Sequence, residues 1–301
     1  MEYRQLKYFI KVAETLNFSE ASKALFITQS TLSQQIRQLE QEMDAQLFMR
    51  DSHSVSLTES GAALLPYAHK VMFATNECFD CIGDLQTLKS GTLNIGATHT
   101  FCPILTESLV SFMRLYPNVK LNIYYKTMEG LIGMLERHEL DLVLAFKPSK
   151  FDGKIESHVL FENHLAAIVK DFHPLASKNK VTLAELSRYS IALPAKGMQA
   201  RNAFDRVQDK YITDFKIQAE LNDVSILLKL IKQSELVTIL SEATIHDETG
   251  VKAIPLDFPG NEMEGCVHML KNSYRKKSAQ EFIKILSESN AIRKVRENWF
   301  A

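Results

Sequence analysis

Residues 19–39 read SEASKALFITQSTLSQQIRQL, with no acidic side chain from Ala21 to Leu39. Two short amphipathic helices joined by a tight turn account for the pattern. Ala21, Ala24 and Leu25 give the first a small apolar stripe, and Leu32, Ile36 and Leu39 give the second one at spacings of four and three. Two such stripes pack face to face. Ser19 and Thr28 are placed as N-caps, each with a hydroxyl for the orphan amides of a first turn. The second helix then presents Gln29, Ser30, Thr31, Ser33, Gln34, Arg37 and Gln38 outward. These side chains donate and accept hydrogen bonds and carry almost no negative charge, which suits the base edges and phosphates of double-stranded DNA. A solvated helix hairpin would carry a similar exterior, so the surroundings decide.

Upstream, Leu6, Phe9, Ile10 and Ala13 mark a supporting helix. Downstream, Leu47–Arg50 and Val55–Leu57 read as short strands of a wing around residues 51–54, and Thr58 caps a further helix. With these elements the chain resembles the LysR-type transcriptional regulators. The resemblance rests on Leu6-x-x-Phe9, Ser19 with Leu25, Gln29-x-x-x-Ser33-x-x-Ile36-x-x-Leu39-Glu40, Leu47-Phe48-x-Arg50 and Leu57-Thr58-x-x-Gly61. Three positions depart from the family pattern: Ser30 replaces Pro, Gln34 replaces Arg, and Met43-Asp44 replaces Leu-Gly. Loss of the charge at Gln34 shifts the expected phosphate contacts to Arg37, Arg50 and His53. Residues 1–60 hold six Lys+Arg against eight Asp+Glu, a formal net of −2, so position and not net charge carries the DNA argument.

With 301 residues, 46% hydrophobic and 24% charged, the chain has room for two or three cores. A net charge of −1 singles out no partner. No apolar run approaches the roughly 18 residues of a membrane span, and Met1-Glu2-Tyr3-Arg4 leads directly into an amphipathic helix, so no membrane association and a cytoplasmic location are expected. Cys78 and Cys81 form a C-x-x-C pair, but a zinc site needs two further ligands, and Cys102 and Cys266 stand alone. No metal and no cofactor are expected; the pair reads as reduced thiols packed as small hydrophobes. Peroxide-sensing LysR proteins use two cysteines in the second effector lobe, and this chain has none between Cys102 and Cys266.

From Thr58 to about Leu88 the pattern is one long helix, with Leu65, Ala68, Met72, Phe79, Ile82 and Leu85 at helical spacings and a kink expected at Pro66. Its apolar stripe calls for a second copy of itself. After Lys89-Ser90-Gly91 the texture becomes alternating strands and helices: strands at 93–97, 119–125, 142–146, 164–170, 190–193 and 236–240, and helices near 103–116, 129–139, 183–186, 200–210, 224–233 and 278–289. That alternation predicts a parallel sheet. The expected fold is α/β, an N-terminal winged helix-turn-helix, mainly α, followed by an effector domain. The resemblance implies a domain of periplasmic-binding-protein type, two lobes joined by two crossing strands. The divisions are 1–58 for the DNA-binding domain, 59–88 for the linker and dimerisation helix, and 89–301 for the effector domain, with lobe I at 92–161 and 266–301 and lobe II at 162–265.

Ligands in open α/β sheets sit beyond the carboxyl ends of the strands. That rule points to Thr98-His99-Thr100-Phe101 after the first strand, where two hydroxyls and the amides of the helix opening at Pro103 suit a small anion; alternatively the threonines only cap that helix. Thr127 and Met128 follow the second strand, Phe146 and Lys147 end the third, and Asn222 precedes a helix. Arg201 either clamps an anion or pairs with Asp205 one turn on. No nucleophile elbow, P-loop, H-E-x-x-H or G-x-G-x-x-G is present, so an enzyme is not expected. A solute-binding protein would lack the helical front end. The expected function is sequence-specific DNA binding modulated by a small-molecule co-inducer. The resemblance further implies a homodimer, assembled as a dimer of dimers into a tetramer, with RNA polymerase as a further partner.

Overall fold

The structure, a computed structural model, describes residues 1–50, 54–85, 91–148, 153–208, 214–245, 248–290 and 292. It contains two compact units. The first is built from α1 (Tyr3–Thr15), α2 (Phe18–Ala24), α3 (Gln29–Glu42), β1 (Phe48–Arg50), β2 (Val55–Leu57) and α4 (Glu59–Leu85). Leu6, Phe9, Val12, Ala21, Leu32, Ile36, Leu39 and Leu47 are its buried centre. Thr28 caps α3, its hydroxyl accepting from the Thr31 amide at 3.1 Å. Ser19 is not the cap of α2. Asn17 holds that position, its Oδ1 accepting from the Ser19 and Glu20 amides at 2.9 and 3.1 Å, because a short acceptor two residues before the first free amide closes the tighter ring.

The wing strands pair antiparallel, Phe48 opposite Leu57; residues 51–53, including His53, lie outside the described residues. The helix α4 continues through Pro66. Its stripe is divided between two surfaces. Leu65, Ala68 and Met72 pack on the core of this unit, whereas Phe79 is 70% and Ile82 59% exposed, as are Tyr67 and Val71 in part. Cys78 and Cys81 are free thiols on this exposed stretch and not packed hydrophobes. A Cβ at Gly61, near the start of α4, would stand 2.1 Å from the Leu47 carbonyl oxygen.

The second unit comprises β3 (Gly91–Ala97), α5 (Cys102–Leu115), β4 (Val119–Tyr125), α6 (Met128–Glu136), β5 (Leu142–Phe146) and the 16-residue β6 (Ile155–Lys170). It continues with α7 (Leu183–Leu186), β7 (Ile191–Pro194), α8 (Gln199–Gln208), β8 (Ile217–Leu221), α9 (Val224–Lys232), β9 (Thr238–Ser241), β10 (Val251–Pro255), β11 (Glu262–Leu270) and α10 (Lys277–Ser287). Strand β3 lies between β4 and β5, all parallel. Antiparallel β11 pairs with both β5 and the first half of β6, and the second half of β6 pairs with β9 and β10. Strands β7 and β8 run parallel, and a bridge from Ile191 to Val237 joins them to the β9 side. The expected strand at 164–170 is therefore the last part of a longer one, and β8, β10 and β11 are additional. Their exposed or mixed faces lack the continuous apolar run that marks β5.

Strands β6 and β11 carry the chain across the domain. Their register shifts between Gly265 and Cys266, opposite Phe161. A Cβ at Gly265 would meet the Phe161 ring at 2.5 Å, so glycine gives the ring its place. On β11, His268 is fully buried between Ser157 Oγ (2.9 Å from Nδ1) and the Ala145 carbonyl (3.1 Å from Nε2).

Two stability outcomes follow. Gly61→Ala should cost roughly 1–3 kcal/mol, as overpacking against backbone does, whereas Gly153→Ala, with nothing within 4 Å, should be near neutral; urea unfolding of both variants checks this. Burial lowers the His268 pKa to about 4 from 6.5. The folded state therefore resists a proton that the unfolded chain accepts, and stability present above pH 6.5 is lost as pH falls towards 4. His268→Gln should flatten that loss in unfolding measured across this window.

Candidate DNA interface and effector site

The outward side of α3 carries Gln29, Ser30, Thr31, Gln34, Arg37 and Gln38 exposed, with Ser33 half-buried. Three hydroxyls meet at its first turn: Thr28 Oγ1 lies 2.9 Å from Ser30 Oγ and 2.8 Å from Thr31 Oγ1. Ser19 Oγ donates to Gln29 Oε1 at 3.0 Å, so α2 aims the leading side chain of α3. Hydroxyl protons rotate freely, and this cluster can present donors or acceptors as a base edge requires. Arg37 has no ion-pair partner among the described residues. Arg50 differs: its Nη2 lies 3.3 Å from Glu40 Oε2 and its guanidinium 4.4 Å from the Phe18 ring centre. Glu40 also accepts from the Leu47 and Phe48 amides, tying the end of α3 to the wing.

In the second unit, Thr98 follows β3, and its amide donates to the Leu144 carbonyl at 2.9 Å. His99–Phe101 form a single tight turn leading into α5. That turn corrects the expected amide donors. The Phe101 and Cys102 amides bond to the Thr98 and His99 carbonyls, and Pro103 has none to offer. One turn earlier, the His99 and Thr100 amides donate no backbone hydrogen bond among the described residues. Nor do the threonines cap α5: its N-cap, Phe101, makes no side-chain cap bond. The Thr100 hydroxyl is half-buried and unpartnered among the described residues. His99 Nε2 stands 3.2 Å from Ser225 Oγ on α9, while its buried Nδ1 has no partner.

The stretch from Ala195 to Arg201, where the family resemblance implies ligand-binding residues in the second lobe, completes this corner. Gln199, the first of α8, accepts from the Phe146 amide at 3.0 Å and from Thr98 Oγ1 at 3.3 Å through Oε1, and its Nε2 donates to the Phe146 carbonyl. Its local sequence signal is its place at a helix start after the Lys196-Gly197 turn. Thr127, at the same end of the sheet, accepts from the Gly130 amide at 3.4 Å and opens α6. Asn222 is exposed just before Asp223, whose carboxylate caps α9.

Five of the expected contact residues are engaged within the fold, and Arg201 takes the second of its two expected roles. Arg201 is buried and engages Asp205 at 2.7 Å, Glu220 at 2.9 Å and the Pro194 carbonyl at 3.1 Å, so its charge is neutralised within the fold. The rings of Phe101 and Phe146 are buried and pack together with Phe161, their centres 5.5 to 6.2 Å apart. Met128 is buried against Leu131 and Leu135 beneath α6. Apolar side chains beside a strand end were drawn inward by the core, as their transfer energy dictates. Lys147 pairs with Glu264, which raises the lysine pKa. It lines a separate cavity of about 390 Å³ with Glu162, Arg206, Glu262 and Glu264, an acidic lining unsuited to an anion. Among the described residues no cluster of His, Cys, Asp or Glu could hold a metal ion, and no helix is long and apolar enough to cross a membrane. Cys266 is buried, and burial raises its thiol pKa to about 11.

Comparison with known proteins fits both halves of this description. Residues 3–62 match the model of the bacterial regulatory helix-turn-helix protein, lysR family, and residues 86–291 that of the LysR substrate binding domain. A probable RuBisCO transcriptional regulator of Trichormus variabilis is 26% identical over 289 residues, covering 92% of this chain and 85% of that protein. Full-length OxyR from Pseudomonas aeruginosa superposes with a TM-score of 0.73 at 19% identity, covering 97% of this chain and 95% of its own. The regulatory domain of Synechocystis PCC6803 CcmR, solved in complex with 2-PG, covers 66% of this chain and 96% of its own with a TM-score of 0.60 at 19% identity. With a helix-turn-helix unit whose polar helix is turned outward and an α/β effector-binding domain, this chain belongs to the LysR family of transcriptional regulators.

Proposed function

We propose that this regulator reads its operator through Gln29, Ser30, Thr31, Ser33 and Gln34 at the start of α3, with Arg37 on phosphate, and that a small anionic metabolite bound at Thr98, His99 and Thr100 modulates it. Thr127 and Asn222 stand at the rim of that effector site. The observation that carries the reading is the unpartnered Thr100 hydroxyl beside the orphaned His99 Nδ1, at the carboxyl end of the central strand. The 2-PG complex of CcmR supports a small-molecule ligand on this type of domain. Arg50 and His53 add contacts from the wing, Arg50 in a secondary part because Glu40 already engages it.

Lobe I at 92–161 and 266–301 and lobe II at 162–265 would shift about the β6 and β11 crossing as the ligand binds, and the paired DNA-binding units would be re-angled on their half-sites. The exposed Tyr67, Val71, Phe79 and Ile82 of α4 support a homodimer through this helix. The family resemblance supports pairing of such dimers into a tetramer that reaches RNA polymerase from the promoter, in the cytoplasm. Its relatives are transcriptional regulators and not enzymes.

Three outcomes test these assignments. Gln29→Ala should weaken specific binding by about 1–3 kcal/mol, read as lost discrimination between operator and random DNA in gel-shift titration; unchanged discrimination removes Gln29 from readout. Phe79→Asp combined with Ile82→Asp should halve the sedimenting mass, and a wild-type mass would move the interface off α4. Thr100→Val should raise the effector half-saturation at least tenfold, from one lost charge-assisted bond of roughly 1.5–3 kcal/mol, while ligand-free DNA affinity persists; an unchanged calorimetric affinity excludes this hydroxyl.

A further inference from the structure

We infer that Gln199 is a built-in occupant of the effector's anchoring position, and that the effector which displaces it is a small carboxylate bearing a hydrogen-bond donor on the adjacent carbon. The inference rests on the effector reading above and names the class of ligand for that site.

The end of β5 exposes one donor and one acceptor, the Phe146 amide and carbonyl, beside the Thr98 hydroxyl. Strand ends at this edge of an α/β sheet are where ligands are received. In this structure all three groups are answered by one planar carboxamide from the opposite side of the domain. Gln199 pairs with Phe146 as a peptide unit of a neighbouring strand would, donating and accepting at once. Few side chains do both, since a carboxylate only accepts and an ammonium only donates.

A ligand that replaces the carboxamide must meet the same demands. A carboxylate accepts from the Phe146 amide and the Thr98 hydroxyl, and reaches the unpartnered Thr100 hydroxyl as well. It leaves the Phe146 carbonyl without the donor that Nε2 supplied. A hydroxyl or ammonium on the adjacent carbon restores that bond. The orphaned His99 Nδ1 adds a further polar partner on the same loop. Displacement frees the first turn of α8 from β5, which gives ligand binding a mechanical output: α8 packs on β6, β7 and β9, the elements beyond the crossing.

The test uses the full-length protein and three probes of nearly equal size: acetate, glycolate and glycine. Hydrogen exchange at the Phe146 amide reports occupancy. In the wild type this amide should be protected without ligand, and Gln199→Ala should lose at least tenfold of that protection. Gln199→Glu, which can accept but not donate, should keep part of it and serves if the alanine variant is poorly folded. In Gln199→Ala, millimolar glycolate or glycine should restore protection at concentrations at least tenfold below acetate. Each should also bind Gln199→Ala at least fivefold more tightly than wild type, because no internal competitor remains. Full wild-type protection in both Gln199 variants, or in Gln199→Glu alone if the alanine variant is poorly folded, overturns the internal occupant while leaving the Thr100 assignment standing. Equal potency of acetate, no restoration by any probe, or weaker binding by Gln199→Ala overturns the ligand class or the competition. Ligand-free operator binding by the same variants separates all of these from failure of the regulator reading.

Discussion

The effector domain depends on how one long strand passes a ring beneath a glycine. Strand β6 pairs with β11 over its first half and with β9 and β10 over its second, so the backbone hydrogen bonds of both halves are anchored in a single segment. At the passage, Phe161 lies where a side chain on Gly265 would be, and the register of β11 shifts by one residue beside it. Two residues on, buried Asn163 accepts from Ser241 Oγ at 2.8 Å and from the Ala243 amide at 3.4 Å, fixing the end of β9 to β6. The Phe161 ring also packs on Phe101 and Phe146. Those two rings form the floor beneath the Thr98–Thr100 turn, so the crossing and the site share one apolar cluster.

Above that floor the chemistry is almost entirely neutral. The polar groups at these strand ends are threonine hydroxyls, a histidine ring, a carboxamide and one backbone amide-carbonyl pair. The nearby charges are spent elsewhere: Arg201 on Asp205 and Glu220, and Lys147 on Glu264. A site of this kind selects by matching donors to acceptors in a confined corner, where an unmatched polar group costs more than a matched one gains.

In the DNA-binding unit a similar economy appears. Glu40, in the last turn of α3, accepts from two wing amides and holds Arg50. Its negative charge is thereby directed into the wing and away from the α3 face. Asn17 caps α2, which frees Ser19 to orient Gln29. The local absence of acid from Ala21 to Leu39 therefore matters more than the unit's formal charge.

The sequence by itself determined the elements whose signals are local. Helical spacing placed α1, α2, α3 and α4, the Thr28 hydroxyl announced α3, and the uninterrupted apolar run 142–146 announced β5, because each depends on periodicity or on a cap within a few residues. The switch-point rule also put forward Thr98–Thr100 as a candidate without any contact in view. Only the tertiary structure decided what those residues touch. Strands β8, β10 and β11 take their order from partners far along the chain, and their mixed faces carry no local signature. Leu65 and Met72 turned into their own unit while Phe79 and Ile82 did not, a division set by where the core ends and not by the shared stripe. Arg201 took Glu220, nineteen residues away, as a partner beside the Asp205 that its helical spacing had offered, and Gln199 was engaged by Phe146, fifty-three residues away. Such pairings bring together polar groups that a linear reading keeps apart, since which of them must be satisfied is known only once burial has chosen their neighbours.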